Sequence, residues 1–327
     1  MQTRSTTKRL IATTAVAAST ELAPSHAVHR QVAITPSPTP SQKKRRVPPR
    51  SPVVPVVFAN RSCDTRVPCD ELRREMRALV AADPEGDTKT LSGWCLVDAL
   101  THCCCANDGK LLPLIRKAGP PTHFLGGEEN MIGDGNDSFR SLCRTVIAQL
   151  LADKAARTIH SKLLDVVGSS SNLTPSNIVA IAARGDVENE LRKPVGLSNA
   201  KCNCILKLAE LFQSGTLSDD LLLKTSDESA VRERLIQVKG IGQWTVDMFM
   251  LFSRHSPNVF PIGDLAFRRG TKKVFGIKGS AKGGELCPKK DLQKILDAHA
   301  PFHPYRSISA YYMYKAQDLA EDGSGDM

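Results

Sequence analysis

Three groupings in this chain have residue types and spacings that could do chemistry. The first is Gly240-Ile241-Gly242, set between the helical patterns of Val231–Val238 and Gln243–Arg254. Two glycines permit a tight turn, and bare backbone lets N–H groups at the start of the second helix approach a phosphate. Ile241 would plug the seam between the helices. Taken alone, the tripeptide reads as an ordinary helix–helix turn. The second grouping is Asp264, 22 residues after Gly242, at the mouth of a further helix that opens Leu265-Ala266-Phe267-Arg268-Arg269. An aspartate there is first of all a helix N-cap, and the same carboxylate can also act as a catalytic anion. The third is the set of ten cysteines, at 63, 69, 95, 103, 104, 105, 143, 202, 204 and 287. None forms C-x-x-C and no His-x-x-x-His follows, so no zinc site is expected; small buried thiols on helices fit the spacing better.

The elements that must position these groups are helical. Apolar residues recur at three- and four-residue spacing over 94–106, 109–118 and 138–151, with Leu142, Val146, Ile147, Leu150 and Leu151 in the last. Asp153 is placed to cap 154–167. Thr174-Pro175 and Ser218-Asp219 open the segments 174–183 and 218–224, and 186–191, 198–212 and 226–238 complete the run. A short charged helix is expected within 68–82, and the Gly/Pro-rich stretch 119–137 reads as a loop. Alternating β-branched runs are almost absent. The expectation is an all-α domain of about ten helices.

Charge narrows the partner. The 327 residues carry a formal +10 and a sequence pI near 9.2, which suggests nucleic acid if the charge lies on a folded surface. Residues 1–60, however, hold nine basic residues against Glu21 alone, with eight of the twenty prolines, a composition expected to stay disordered. Within that tail Lys43-Lys44-Arg45-Arg46 resembles a nuclear localisation run, and the Arg/Ser/Thr/Ala-rich residues 1–30 resemble an organellar transit peptide; a nuclear address is preferred. Beyond the tail, the surplus is concentrated at 267–294, where nine basic residues including Arg268, Arg269, Lys272 and Lys273 face two acids. That segment adjoins the Gly-x-Gly turn and is expected to contact DNA. No apolar run is long enough to span a membrane.

Leu235-Ile236-Gln237-Val238-Lys239-Gly240-Ile241-Gly242-Gln243-Trp244-Thr245-Val246, followed by Asp264, resembles the helix-hairpin-helix DNA glycosylases of the HhH-GPD superfamily, 3-methyladenine DNA glycosylase II type. The likeness continues upstream through Phe139–Ala156 and Gly196–Lys201, and downstream through Pro304–Ser307 and Tyr311–Tyr314, so that it spans about 94–318.

This resemblance implies two helical lobes with the active-site cleft between them, in a domain over 94–320. Residues 61–93 would be a linker with a short helix, and 321–327 a flexible end. It implies Asp264 as the essential carboxylate. Lys239, Gly240, Ile241, Gly242 and Thr245 would form the phosphate-binding hairpin, with a bound cation possible at Val238 and Ile241. Leu150, or Leu151 in its place, would be the wedge that fills the gap left by a flipped nucleotide; a plain core leucine is the alternative. Trp244, Met248 and Phe139 would line the base pocket, and Lys201 follows the family's Gly-Leu-Ser-x-x-Lys pattern. Family members that also cleave the backbone carry a nucleophilic lysine where Trp244 stands, so lyase chemistry should be missing. Members with an iron–sulfur cluster carry four cysteines after the aspartate; Cys287 alone follows here, and no cofactor is expected.

The chain departs from relatives at Leu150, where many have a second glutamine, at Met248, which is aromatic in some, and at an apparent insertion over 126–137. The implied activity is monofunctional, hydrolytic excision of alkylated purines (the 3-methyladenine and 7-methylguanine class) from duplex DNA, by a monomer. The rivals are a non-catalytic helix-hairpin-helix DNA-binding module, a bifunctional glycosylase/lyase and a helical scaffold.

Overall fold

The computed structural model describes residues 69–80, 89–125 and 137–321. The basic tail 1–60, the rest of the segment before 89, nearly all of the apparent insertion (126–136) and residues 322–327 lie outside the described residues. Thirteen α-helices run through the described residues: α1 Cys69–Val80, α2 Leu96–Cys105, α3 Leu112–Ala118, α4 Ser138–Ala148, α5 Asp153–Val167, α6 Pro175–Ala183, α7 Lys193–Val195, α8 Asn199–Gln213, α9 Glu228–Ile236, α10 Gln243–Phe252, α11 Leu265–Phe275, α12 Leu292–His299 and α13 Arg306–Glu321. Among the described residues the only β-type pairing is an isolated bridge between Lys89 and Cys95.

Local chemistry accounts for five of the thirteen helix starts. Side-chain oxygens of Asp137, Thr174, Ser198, Asp227 and Asp264 each accept the amide three residues on, which supplies one of the donors a helix leaves unpaired at its N-terminus. Asp153 is not a cap as expected. It is the first residue of α5, behind Ala152, and its carboxylate accepts from Arg157 Nε one turn on at 2.9 Å. Two expected helices, 186–191 and 218–224, contain wide π-type turns at Glu188–Arg192 and Asp220–Lys224. The second is held from outside by the buried Arg254, which donates to the carbonyls of Leu222, Leu223 and Thr225.

The helices sort into two groups by what they pack against. In one, α4 packs on α5, α8 and α10, with α6 on α8 and α9 on α10; in the other, α13 packs on α11, α2 and α3, with α12 on α11 and α1 on α2. The first helix is therefore more than a linker element, since Leu72 and Met76 are wholly buried against α2. A single core runs through both groups, and Phe252 of α10 meets Tyr314 of α13 at 5.7 Å between ring centroids. In helix α10, Val246, Phe249, Met250 and Leu251 are buried, each contributing about 1.5–3 kcal/mol of apolar transfer. That burial anchors the helix whose exposed N-terminus carries the Gly-x-Gly turn.

The cysteines are mostly the expected interior thiols: Cys103, Cys104, Cys143, Cys202 and Cys204 are buried. Cys69 opens α1, exposed, with its Sγ 3.4 Å from that of Cys105 on α2. No cluster of His, Cys, Asp or Glu able to hold a metal occurs among the described residues.

Candidate active site and nucleic-acid interface

At the hairpin, α9 ends at Ile236, Val238 and Ile241 tuck into the interior at 6% exposure each, and Ile241 N–H bonds back to the Val238 carbonyl at 3.0 Å. The two glycines have different reasons for being there. Gly240 has φ +100, and a Cβ on it would stand 2.8 Å from Cys204 Cβ of α8, so the fold itself demands glycine. Gly242 has an unstrained φ of −110 and open space around its Cα. It is the N-cap residue of α10 and offers no side-chain cap to the first amides, which face outward with the positive end of the helix dipole. Lys239 and both glycines are exposed. Thr245, expected among the phosphate ligands, is 1% exposed, and its hydroxyl accepts from Gln149, so it is an interior tie and not a surface donor.

Asp264 lies at the second exposed helix start. One carboxylate oxygen accepts the Phe267 amide at 2.9 Å, and the other accepts Trp244 Nε1–H at 2.6 Å. The carboxylate thus caps α11, whose N-terminus favours negative charge, and accepts from a side chain of α10 at once. Arg268 fixes the loop beneath it. Its guanidinium donates to the carbonyls of Ile262 (2.9 Å), Asp264 (3.1 Å) and Leu286 (2.9 Å). Nε and Nη1 of Arg268, expected to contact DNA, are thus engaged with backbone. Trp244 is half-buried.

Expected pocket residues separate here. Trp244 touches the carboxylate, whereas Met248, one turn further along α10, is 1% exposed with its sulfur accepting from Tyr314 O–H at 3.9 Å. Phe139 is 2% exposed and packed edge-on against Phe212, at 5.5 Å. Phe139 belongs to the apolar core, whereas Met248 is buried beside the Tyr314 hydroxyl outside that core. Burial raises the Tyr314 phenol well above its usual range, with the nearby carboxylates of Asp264 and Asp247 acting in the same direction.

Leu150 shows the opposite outcome. Helix α4 ends at Ala148 and not at 151, and Leu150 follows with φ +58 and its side chain wholly in solvent, at 104% exposure. The core-leucine alternative is excluded. Leu151 is 38% exposed beside it. Lys201 of α8 donates to the carbonyls of Ile147 and Gln149, both at 2.8 Å, and burial lowers its pKa.

Two features escaped sequence reasoning. Gln149 Nε2 donates both to the Gly240 carbonyl and to Thr245 Oγ1, each at 2.9 Å. Asp247, 5% exposed, accepts from Arg232 Nη1 at 2.8 Å and Gln243 Nε2 at 3.0 Å, tying α9 to α10; its burial raises the carboxyl pKa against the pull of Arg232. Gln149 adjoins the expected wedge, which was the available signal; Asp247 had none beyond its place in the motif. Consecutive residues thus connect three parts of the site: Leu150 to the hairpin through Gln149, Gln149 to Thr245, and Trp244 to Asp264.

Around α11 the remaining cations meet acids or carbonyls. Lys272 pairs with Glu285 at 3.2 Å, Arg269 stands 3.7 Å from the same carboxylate, and Lys273 Nζ reaches the Ala316 carbonyl at 3.5 Å. These three cations, Glu285 and Gln317 line an open depression.

Residues 143–296 match the family model described as HhH-GPD superfamily base excision DNA repair protein. The chain is 27% identical over 186 residues to the DNA-3-methyladenine glycosylase 1 of Schizosaccharomyces pombe, covering 57% of this chain and 75% of the relative. It resembles the solved S. pombe 3-methyladenine DNA glycosylase Mag1 in complex with abasic DNA, at a TM-score of 0.55 and 25% identity over 68% of this chain and 98% of that one. The crystal structure of a DNA-3-methyladenine glycosidase from Bacillus halodurans matches at a TM-score of 0.52 and 26% identity, over 68% and 91% of the two chains. Over the matched segment 143–296 the chain is similar to the HhH-GPD superfamily of base excision DNA repair proteins, and the relatives it matches are named 3-methyladenine glycosylases.

Proposed function

We propose that this protein binds duplex DNA carrying alkylated purines, extrudes the damaged nucleotide and hydrolyses its N-glycosidic bond without cutting the backbone. The observation that carries the reading is the Asp264 carboxylate, held by Trp244 Nε1–H at 2.6 Å and the Phe267 amide at 2.9 Å beside an open Gly-x-Gly helix start. A base stacked in a duplex hides its glycosidic bond, so it has to leave the helix and the vacancy has to be filled. Leu150, alone in solvent ahead of α5, is the wedge, with Leu151 beside it. The hairpin amides of Gly240 to Gln243, with Lys239, take a phosphate of the same strand.

Alkylation at N3 or N7 makes a purine cationic and a ready leaving group. The bond from C1′ to the base nitrogen breaks with its electron pair on the base, and the sugar becomes an oxocarbenium ion. Asp264 stabilises that cation, and a water then adds to C1′ and loses its proton to the carboxylate or to solvent. The exposed part of the Trp244 ring offers a π face to a cationic base while its N–H keeps the carboxylate in place. With tryptophan and not lysine at 244, no amine stands there to form a Schiff base.

The name of the S. pombe relative and its structure with abasic DNA support this reading for the present chain. In single-turnover assays on duplexes containing 3-methyladenine or 7-methylguanine, Asp264→Asn should lower base release about 10²–10³-fold with DNA affinity retained. Equal release by both proteins would sink the role of Asp264. Borohydride-trapped adducts would favour a lyase instead.

A further inference from the structure

The mechanism above gives Lys201 and Gln149 nothing to do, yet both are engaged at the base of the wedge. A leucine at φ +58 is in a conformation that L-residues avoid, and its side chain has no packing partner to hold it there. Something else must over-determine the turn. Lys201 Nζ grips the carbonyls of Ile147 and Gln149 at 2.8 Å each, the two that bracket the end of α4. Gln149 Nε2 then joins the same turn to the Gly240 carbonyl and to Thr245 Oγ1 at 2.9 Å each. The Gly240 carbonyl belongs to the peptide plane that enters the phosphate-facing turn, so Gln149 sets the orientation of that plane too.

We propose that Lys201 and Gln149 are positioning residues that pre-form the Leu150 wedge before DNA arrives and couple it to phosphate capture at the hairpin. This rests on the reading of Leu150 as the wedge. Neither side chain contacts the nucleotide. They act by keeping Leu150 in its left-handed, solvent-facing conformation and in register with the Gly240 turn.

The test is a double-mutant cycle on the full chain, with duplex DNA carrying 2-aminopurine beside 7-methylguanine and fluorescence reporting unstacking. Leu150→Ala and Lys201→Met should each lower the flipping equilibrium about 5- to 30-fold, the population factor expected when a left-handed leucine is released. The double variant should lose no more than the larger single loss, because Lys201 acts through Leu150. Losses that multiply would overturn the inference while the wedge reading stands, which is also what a general folding role for Lys201 would produce. A Leu150→Ala protein that flips like wild type would overturn the wedge reading and this inference with it. If Lys201→Met fails to fold by circular dichroism, Gln149→Met takes its place in the cycle with the same two outcomes.

Discussion

The hairpin end of α10 and the basic stretch beginning at α11 invite opposite conclusions from charge alone. The stretch 267–294 holds nine cations, the hairpin only Lys239. Yet Arg268 is engaged with three carbonyls, and Lys272 and Arg269 sit beside Glu285. Lys294 pairs with Asp291, whose carboxyl is held far below its usual range by the Ser280 and Cys287 amides. The hairpin, in contrast, presents outward amides at a helix N-terminus that lacks a side-chain cap. Phosphate recognition follows uncommitted donors, and a count of cations does not reveal which are committed.

That contrast can be broken in several ways. Among the substitutions, the largest stability effect is expected from Arg268→Met, which leaves three carbonyls without their charged donor and should cost about 2–4 kcal/mol in urea unfolding. Arg269→Met next to it should stay within about 0.5 kcal/mol. Equal behaviour of the two would mean that Arg268 is an ordinary surface cation. Gly240→Ala should follow at about 2–3 kcal/mol, because it adds both a left-handed backbone penalty and a clash with Cys204. Gly242→Ala should leave the melting temperature nearly unchanged and weaken binding to a duplex; unchanged affinity would remove the close-approach argument.

Acid should loosen the α11–α13 side in particular. Burial lowers His299 to about 3, and burial with neighbouring His123 lowers His255 to about 3. The unfolded chain then binds protons near pH 6.5 while the folded one does not. Stability is therefore level above that pH and falls as pH drops from 6.5 towards 3, by up to about 1.4 kcal/mol per unit for each histidine. Thermal melts at pH 7 and pH 5 check this, and His299→Gln should flatten the slope. The smallest effect is expected for Lys239→Ala: the salt dependence of duplex binding should lose about one unit of slope, and more than Lys273→Ala loses.

Much of this was legible in the order of residues. Thr174, Ser198 and Asp264 cap helices because a short polar side chain reaches an amide three residues on, an effect confined to one turn of chain; the helix expected from Ser226 is capped one residue later, by Asp227. The Gly-x-Gly turn, Trp244 and Asp264 stood out for the same reason, since their spacing is short and their chemistry is specific. Leu150 was open between wedge and core, and Phe139 and Met248 were expected to line the pocket. All three are apolar residues at helical spacing, and periodicity says only that one face is apolar, not where the helix stops or which neighbour covers it. Helix α4 stops at Ala148, and Leu150 turns outward; Phe139 and Met248 remain on buried faces.

By itself, then, the sequence determined the all-α class, several of the helix caps and the Gly-x-Gly turn, and the family that the hairpin and aspartate resemble, because those signals act within a few residues. Only the tertiary structure decided that Leu150 faces solvent, that Arg268 braces a loop, and that Trp244 N–H meets the Asp264 carboxylate from 20 residues away. Those outcomes depend on which helix packs against which. A side chain's free donors and exposed faces are what remain after contacts distant in sequence have taken their share.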